Sequence, residues 1–295
     1  MAKLSIVIGT YNRLDLLKDC LNSLIGTITA PYEIYITDAG SSDGTIQYLK
    51  SLSEKHKNLI LIEEGQKLGQ AKSLNNVFRT LNSDYTLWLS DDNIALDGMI
   101  DLSVSILEEF EEIGMVGLKV KDISGEFQQA PYIGGVSDSG ILNVNQGMLR
   151  TKLLHSVGYF DEEFKDYGID SDLTTKVLLS GYQVVYTKDI AVHHNRTHEM
   201  YPGAIDNLSR ETRRQSSKVL YNQKYHELSK KTISFYIKKY FYILILKWYF
   251  YYLNNLLGYS ERDWRNVFYT KTISVFDFMK SSGKPFYLIQ SFKNI

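Results

Sequence analysis

Tyr85-Thr86-Leu87-Trp88-Leu89-Ser90-Asp91-Asp92-Asn93 is the stretch on which the reading of this chain turns. Its first five residues are apolar or β-favouring and predict a buried strand. The strand runs straight into two adjacent carboxylates, which no apolar core accepts unpaired. In open α/β sheets the ligand crevice lies beyond the carboxyl ends of the strands, so acids delivered there suit a phosphorylated ligand and its divalent cation. The alternative is a pair of turn or capping acids ahead of a helix that starts near Asp97. The segments on either side decide between the two.

Working back toward the N-terminus, Leu4 to Ile8 reads as a first buried strand. Leu14, Leu17, Leu21 and Leu24 then recur at the spacing of an amphipathic helix. A second strand, Glu33 to Thr37, enters Asp38-Ala39-Gly40-Ser41-Ser42-Asp43-Gly44-Thr45, whose small and turn-forming residues suit close backbone approach to a ligand and a helix cap. Ile46, Leu49 and Leu52 or Ser53 face inward from the next helix. Leu59 to Ile62 is a third strand, and Ala71, Leu74, Val77, Phe78 and Leu81 form another helical stripe. Strands separated by connections this long predict a parallel sheet with helices on its faces. Three loops then share one edge, those at Tyr11, Asp38 and Asp91 to Asn93, which favours the ligand reading of the acids.

Downstream, a helix is expected from about Leu96 to Ile113, a strand from Met115 to Val120, and loops or a hairpin over the pocket from Asp122 to Gly140. Val144 to Arg150 returns as a strand, followed by a short helix near Lys152 to Val157. Asp170 and Asp172 fall in the first turn of a helix that ends at Ser180-Gly181, where acids also serve the helix dipole. Val184 to Tyr186 and Ile190 to Val192 read as extended, and the second leads into His193-His194.

Composition sets the bounds. A chain of 295 residues, 44% hydrophobic and 23% charged, folds rather than remaining disordered, and a net charge of −1 gives no basis for nucleic acid as a bulk partner. The single cysteine, Cys20, rules out an intrachain disulfide and fits a reducing compartment. The short apolar run at the start leads directly into a strand pattern, so a signal peptide is not expected, and the expected location is the cytoplasm.

The series Ser5-Ile6-Val7-Ile8-Gly9-Thr10-Tyr11-Asn12-Arg13, Thr37-Asp38-Ala39-Gly40-Ser41-Ser42-Asp43-Gly44-Thr45, Ser90-Asp91-Asp92-Asn93, and Gly158-Tyr159-Phe160-Asp161-Glu162 with Asp170-Ser171-Asp172-Leu173 resembles the family 2 nucleotide-sugar glycosyltransferases over about residues 3 to 200. The resemblance implies the GT-A fold, with a catalytic domain over 1–206. Its nucleotide-binding half would cover about 1–95 and its acceptor half about 96–206. Thr10 and Tyr11 would frame the base, Asp38 would accept from an imide N–H, and Arg13 or Lys67 would reach phosphate. The family's acidic motif is commonly Asp-x-Asp. Here Ser90 takes its first position, which assigns Mn²⁺ or Mg²⁺ to Asp92 and gives Asp91 the ribose or a metal-bound water. His194 would be a further metal or diphosphate ligand. Asp170 would be the general base, with Asp172 in reserve, and a single displacement would invert the anomeric centre. The implied reaction moves a sugar from a nucleoside diphosphate sugar to a glycan or lipid-linked glycan, as in bacterial surface polysaccharide assembly.

Beyond about Asn207 the pattern turns helical and aromatic. The run Tyr240 to Leu253 is shorter than a membrane span and is interrupted by Lys247. Residues 207–295 are therefore expected to form a helical extension, with 235–257 packing on the domain, on a second subunit, or on the inner face of the cell membrane. A catalytically inactive nucleotide-sugar binding or scaffolding subunit is the rival function, favoured by Ser90. A nucleotidyltransferase would carry a Gly-rich basic loop after the first strand, which Gly9-Thr10-Tyr11-Asn12 lacks.

Overall fold

The computed structural model describes residues 2–124, 128, 131–196, 207–229, 233–246, 249, 261–281 and 283–294. Its elements are β1 (Leu4–Thr10), α1 (Leu14–Leu24), β2 (Tyr32–Asp38), α2 (Thr45–Lys55), β3 (Leu59–Glu63), α3 (Gln70–Phe78), β4 (Tyr85–Ser90), β5 (Asn93–Ala95), α4 (Met99–Glu109), β6 (Ile113–Ser124), β7 (Gly147–Arg150), α5 (Thr151–Val157), α6 (Ile169–Leu179), β8 (Gln183–Asn195), α7 (Asn207–Lys224), α8 (Ile233–Phe241), α9 (Glu261–Tyr269), α10 (Val275–Lys280) and β9 (Phe286–Gln290). The strands form one mixed sheet in the order β3-β2-β1-β4-β7-β6-β8-β5, with β9 also paired to β8. The first four strands in this order are parallel, as the helical crossovers require.

Alternation along β1 shows how the sheet divides the core. Val7 packs with α3 and α6 residues such as Leu74, Phe78 and Leu173 on one face. Leu4, Ile6 and Ile8 pack with Leu17 and Leu21 of α1 and Leu49 of α2 on the other. Each fully buried Leu or Ile contributes roughly 1.5–3 kcal/mol, so both faces hold the strand ends in place.

The loops at the sheet edge are tied to one another. Asn12 donates its amide to Ser41 Oγ (2.8 Å) and accepts from the Ser42 amide on Oδ1 (2.7 Å). Gly40 has φ +87°, and a Cβ there would lie 2.8 Å from the Gly65 carbonyl oxygen, so the residue permits a turn and a close approach together.

Three features differ from the expected arrangement. Asn93–Ala95, expected to lead from turn to helix, is a short strand antiparallel to β8, with Asn93 opposite His194. The two extended pieces before His193-His194 are one strand, β8. The C-terminal segment is not purely helical: β9 pairs antiparallel with the first half of β8, Val184 opposite Gln290 and Thr187 opposite Phe286. Tyr221 and Tyr225 of α7 and Trp264 and Phe268 of α9 lie in the same core cluster as α3 and α6. The described part of the extension therefore shares the core of the preceding sheet.

Of the expected 235–257 segment, residues 247–248, 250 and 251–257 lie outside the described residues. In the described part, Phe235 and Tyr242 are buried, and Tyr242 stacks on Phe268. Tyr236, Ile237, Tyr240, Phe241 and Leu244 are exposed on the opposite side, Ile237 at 64% and Leu244 at 75%. Packing on the domain therefore accounts for one side of this segment only. Among the described residues no helix is long and apolar enough to cross a membrane.

Candidate active site

A cavity of about 900 Å³ opens where β1, β2 and β4 end. Its lining includes Thr10, Tyr11, Arg13, Asp91, Asp92 and His194. The parallel strands deliver the first five of these side chains, and β8 delivers the histidine. Strand alternation places His194, and not His193, at the cavity wall.

Asp91 and Asp92 are both almost fully buried. Thr10 Oγ1 donates to Asp91 Oδ2 at 2.8 Å. The Arg13 guanidinium reaches both acids, 2.9 Å to Asp91 Oδ1 and 3.3 Å to Asp92 Oδ2. Burial pushes the Asp91 carboxyl well above its ordinary value, and Arg13 opposes that shift. Arg13, expected at phosphate, lines the cavity and bridges the paired carboxylates, which need a counter-charge. Ser90, at the first position of the acidic motif, accepts from Gln146 Nε2 at 3.2 Å.

Opposite Arg13, His194 Nε2 lies 3.3 Å from Asp92 Oδ1. The other ring nitrogen, Nδ1, lies 3.1 Å from Asp122 Oδ1 and 3.1 Å from the Tyr132 hydroxyl. Arg196 Nε donates to Asp122 Oδ2 at 2.8 Å. Burial raises the Asp122 carboxyl, but the hydrogen bonds from Arg196 and Tyr132 and the Arg196 charge outweigh it, leaving the group below its ordinary value. Asp122, Tyr132 and Arg196 escaped the sequence reading. The one available signal was register: Asp122 pairs directly with His194 across β6 and β8.

Asp38, the last residue of β2, is fully buried and does not itself line the cavity, although Thr37 and Ala39 on either side of it do. Its Oδ1 accepts from the Gly40 and Ser41 amides at 2.9 and 2.8 Å, while Oδ2 has no hydrogen-bond partner. A buried acceptor left in this state suits an incoming N–H donor. Lys67 lines the same cavity, and its ammonium lies 3.8 Å from the centre of the Tyr11 ring, a cation–π contact with the ring expected to frame a base.

The acids of α6 separate. Asp170 is half-buried in the first turn, and burial pushes its carboxyl up to about 6, against hydrogen bonds from the Ser171 amide and its own. It does not line the cavity, although Tyr167, three residues before it, does. Asp172 is fully buried and turned toward α7: Oδ1 accepts from the Tyr225 hydroxyl at 2.7 Å and lies 2.7 Å from Lys224 Nζ, and Lys176 Nζ is 2.9 Å from Oδ2. Asp172, expected as the reserve base, is thus held in an ion-pair cluster between α6 and α7 and does not line the cavity.

Among the described residues no group of three or more His, Cys, Asp or Glu side chains is arranged to hold a metal ion. Asp92 Oδ1 and His194 Nε2 nevertheless offer one oxygen and one nitrogen donor 3.3 Å apart, a set compatible with Mn²⁺ once diphosphate or water oxygens complete the shell.

The sequence model described as Glycosyl transferase family 2 matches residues 5–160. A poly(ribitol-phosphate) β-glucosyltransferase of Bacillus spizizenii is 33% identical over 103 residues, which are 33% of this chain and 16% of that protein. A poly-β-1,6-N-acetyl-D-glucosamine synthase of Staphylococcus aureus is 24% identical over 62% of this chain and 47% of its own length. Among solved structures, S. aureus TarS residues 1–349 with UDP-GlcNAc superposes with a TM-score of 0.57 at 21% identity, covering 68% of this chain and 60% of that one. A mannosyltransferase of Pyrobaculum calidifontis with GDP-Man and Mn²⁺ gives 0.54 at 17% identity, covering 91% and 85%. These structures share the GT-A sheet, the family match spans more than half of the sequence, and the chain belongs to glycosyltransferase family 2.

Proposed function

We propose that this protein is an inverting, metal-dependent glycosyltransferase. It moves a sugar from a nucleoside diphosphate sugar to a hydroxyl of a glycan or lipid-linked glycan, in the assembly of a bacterial surface polysaccharide. The observation that carries the reading is the meeting of Thr10, Arg13, Asp91, Asp92, His194 and Arg196 at one cavity beyond the strand ends. Tyr11 and Asp38 receive the base, Tyr11 by its ring face and Asp38 by its unpaired Oδ2. Arg196 lines the phosphate region as a rigid fork already aimed by Asp122. Asp92 and His194 would hold Mn²⁺ or Mg²⁺, which when bound neutralises charge as the diphosphate leaves. Asp170 takes the proton of the attacking hydroxyl, and attack from the side opposite the leaving group inverts the sugar. Other proteins of related sequence are named for glucosyl transfer to poly(ribitol-phosphate) and for poly-N-acetylglucosamine synthesis, which supports the polysaccharide setting.

The test is a panel of nucleotide sugars incubated with Mn²⁺, read as nucleoside diphosphate release. One donor is expected to turn over and to raise the melting temperature by mass action. A donor that binds without turnover under all acceptors tried would favour the scaffolding reading instead. Ser90, bonded to Gln146 where the family commonly has an acid, is the observation behind that second reading.

We also place the protein at the cytoplasmic face of the membrane, through α8 and the π-helical turn Tyr242–Leu246 that follows it. Tyr236, Ile237, Tyr240, Phe241 and Leu244 form an exposed stripe at helical spacing, with Lys239 beside it. In flotation with anionic vesicles the wild-type chain is expected in the lipid fraction. The triple variant Ile237→Ser, Phe241→Ser, Leu244→Ser should stay at the bottom with its melting temperature unchanged. Flotation of the variant with vesicles as strongly as the wild type would refute the membrane assignment. A concentration-dependent dimer lost in the variant would point to a homo-oligomer contact instead.

A further inference from the structure

We propose that Asp122 is a positioning residue that sets, from behind the cavity wall, the tautomer of His194 and the aim of Arg196. This rests on the metal-bearing site proposed above. Asp122 sits on β6 directly opposite His194 on β8, and its side chain is fully buried. It does not itself line the cavity, yet three residues that do, Tyr132, His194 and Arg196, meet on its two oxygens. Oδ1 takes the Tyr132 hydroxyl at 2.9 Å and faces His194 Nδ1 at 3.1 Å, while Oδ2 takes Arg196 Nε at 2.8 Å. Arg196 Nη2 donates in turn to the Tyr132 oxygen at 2.9 Å.

The proton positions follow from counting donors. An ionised carboxylate only accepts, and the one Tyr132 proton points at Asp122. His194 must therefore carry a proton on Nδ1, because a bare Nδ1 would set its lone pair against the carboxylate. In the neutral ring that leaves the Nε2 lone pair directed at Asp92 Oδ1, 3.3 Å away. Two electron-rich atoms at that distance call for positive charge near both, and the same tautomer is the one that can ligate through Nε2.

Asp122→Asn keeps the shape and breaks this logic. Its amide nitrogen faces either Arg196 Nε–H, two donors head to head, or His194 and Tyr132. In the second case the ring takes its proton on Nε2 and loses the metal-binding lone pair. Mn²⁺ alone, titrated into the full chain and read by the electron paramagnetic resonance of the free ion, is expected to bind roughly 10- to 100-fold more weakly to Asp122→Asn. Pulsed spectra of bound Mn²⁺ are expected to lose the ring-nitrogen coupling. In a His194→Ala background the same substitution should leave the remaining Mn²⁺ affinity unchanged, since the two residues act as one unit. Equal affinity and equal nitrogen coupling in wild type and Asp122→Asn would overturn the proposal. So would an equal loss in the His194→Ala background, which marks a merely structural acid. A wild-type chain that binds no Mn²⁺ would overturn the metal reading together with this one. Should the variant fail to fold, nitrogen NMR of ring-labelled wild-type protein, at a pH that keeps the ring neutral, decides alone: a proton on Nδ1 of His194 is expected, and a proton on Nε2 refutes it.

Discussion

Asp170→Asn is expected to lower kcat by about 10²- to 10⁴-fold while leaving donor affinity within about twofold, because positioned general bases contribute on that scale and Asp170 lies outside the donor cavity. The assay is nucleoside diphosphate release under saturating donor, with water or an added glycan as acceptor. The pH profile carries the sign. Burial raises the Asp170 carboxyl to about 6, and only the ionised form can accept a proton, so wild-type kcat should climb as pH rises through that value. Asp170→Asn removes the titrating group and should flatten this limb. A variant that keeps a tenth or more of wild-type kcat would remove Asp170 from the reaction.

Two residues further along α6, the same chemical group should fail in a different way. Asp172→Ala leaves the Lys224 and Lys176 ammoniums and the Tyr225 hydroxyl facing the space of a deleted, fully buried carboxylate. Breaking one partner of a buried ion pair costs about 3–5 kcal/mol. The lower end applies because the two lysines keep some contact with solvent. Urea unfolding should show this as a lowered midpoint, with the specific activity of the folded fraction nearly unchanged. Loss of kcat with an unchanged midpoint would return Asp172 to the reaction. The paired experiments separate two acids that the sequence alone presents as equivalents.

The first four parallel strands were legible because their evidence is local. Apolar runs, helical stripes and turn loops such as Asp38 to Thr45 each state their role within a dozen residues, and the crossover rule assembles them. The features that escaped are those made by distant partners. Asn93–Ala95 has too few residues to announce a strand and exists because β8 pairs with it. Thr187, Lys188 and Asp189 interrupt the apolar pattern of β8 and hide its continuity. In the fold the Thr187 hydroxyl accepts from the Lys119 amide and donates to the Asp189 carbonyl, so the interruption is absorbed. β9 follows Pro285 within a stretch whose surroundings read as helical. The site divides along the same line. Thr10, Tyr11, Arg13, Asp91, Asp92 and His194 reach one cavity, as the motif order implied. Asp122 looked like the first residue of a polar loop, and its burial is visible only once β6 and β8 are side by side. Arg13 and Lys67 are long cations whose targets depend on which neighbour has the greater need of charge, and no local pattern encodes that.

The pairing of β9 with β8 bears on how the protein is made. The strand that carries His194 has its outer edge shared between β5 at one end and β9 at the other. When the ribosome has emitted only the first two hundred residues, half of that edge is still open to any passing strand, a known route to aggregation. Clipping ahead of Phe286 would leave the Val184 to Thr187 edge of β8 open, and such chains are expected to be recovered mainly in the insoluble fraction although every lining residue of the cavity is present.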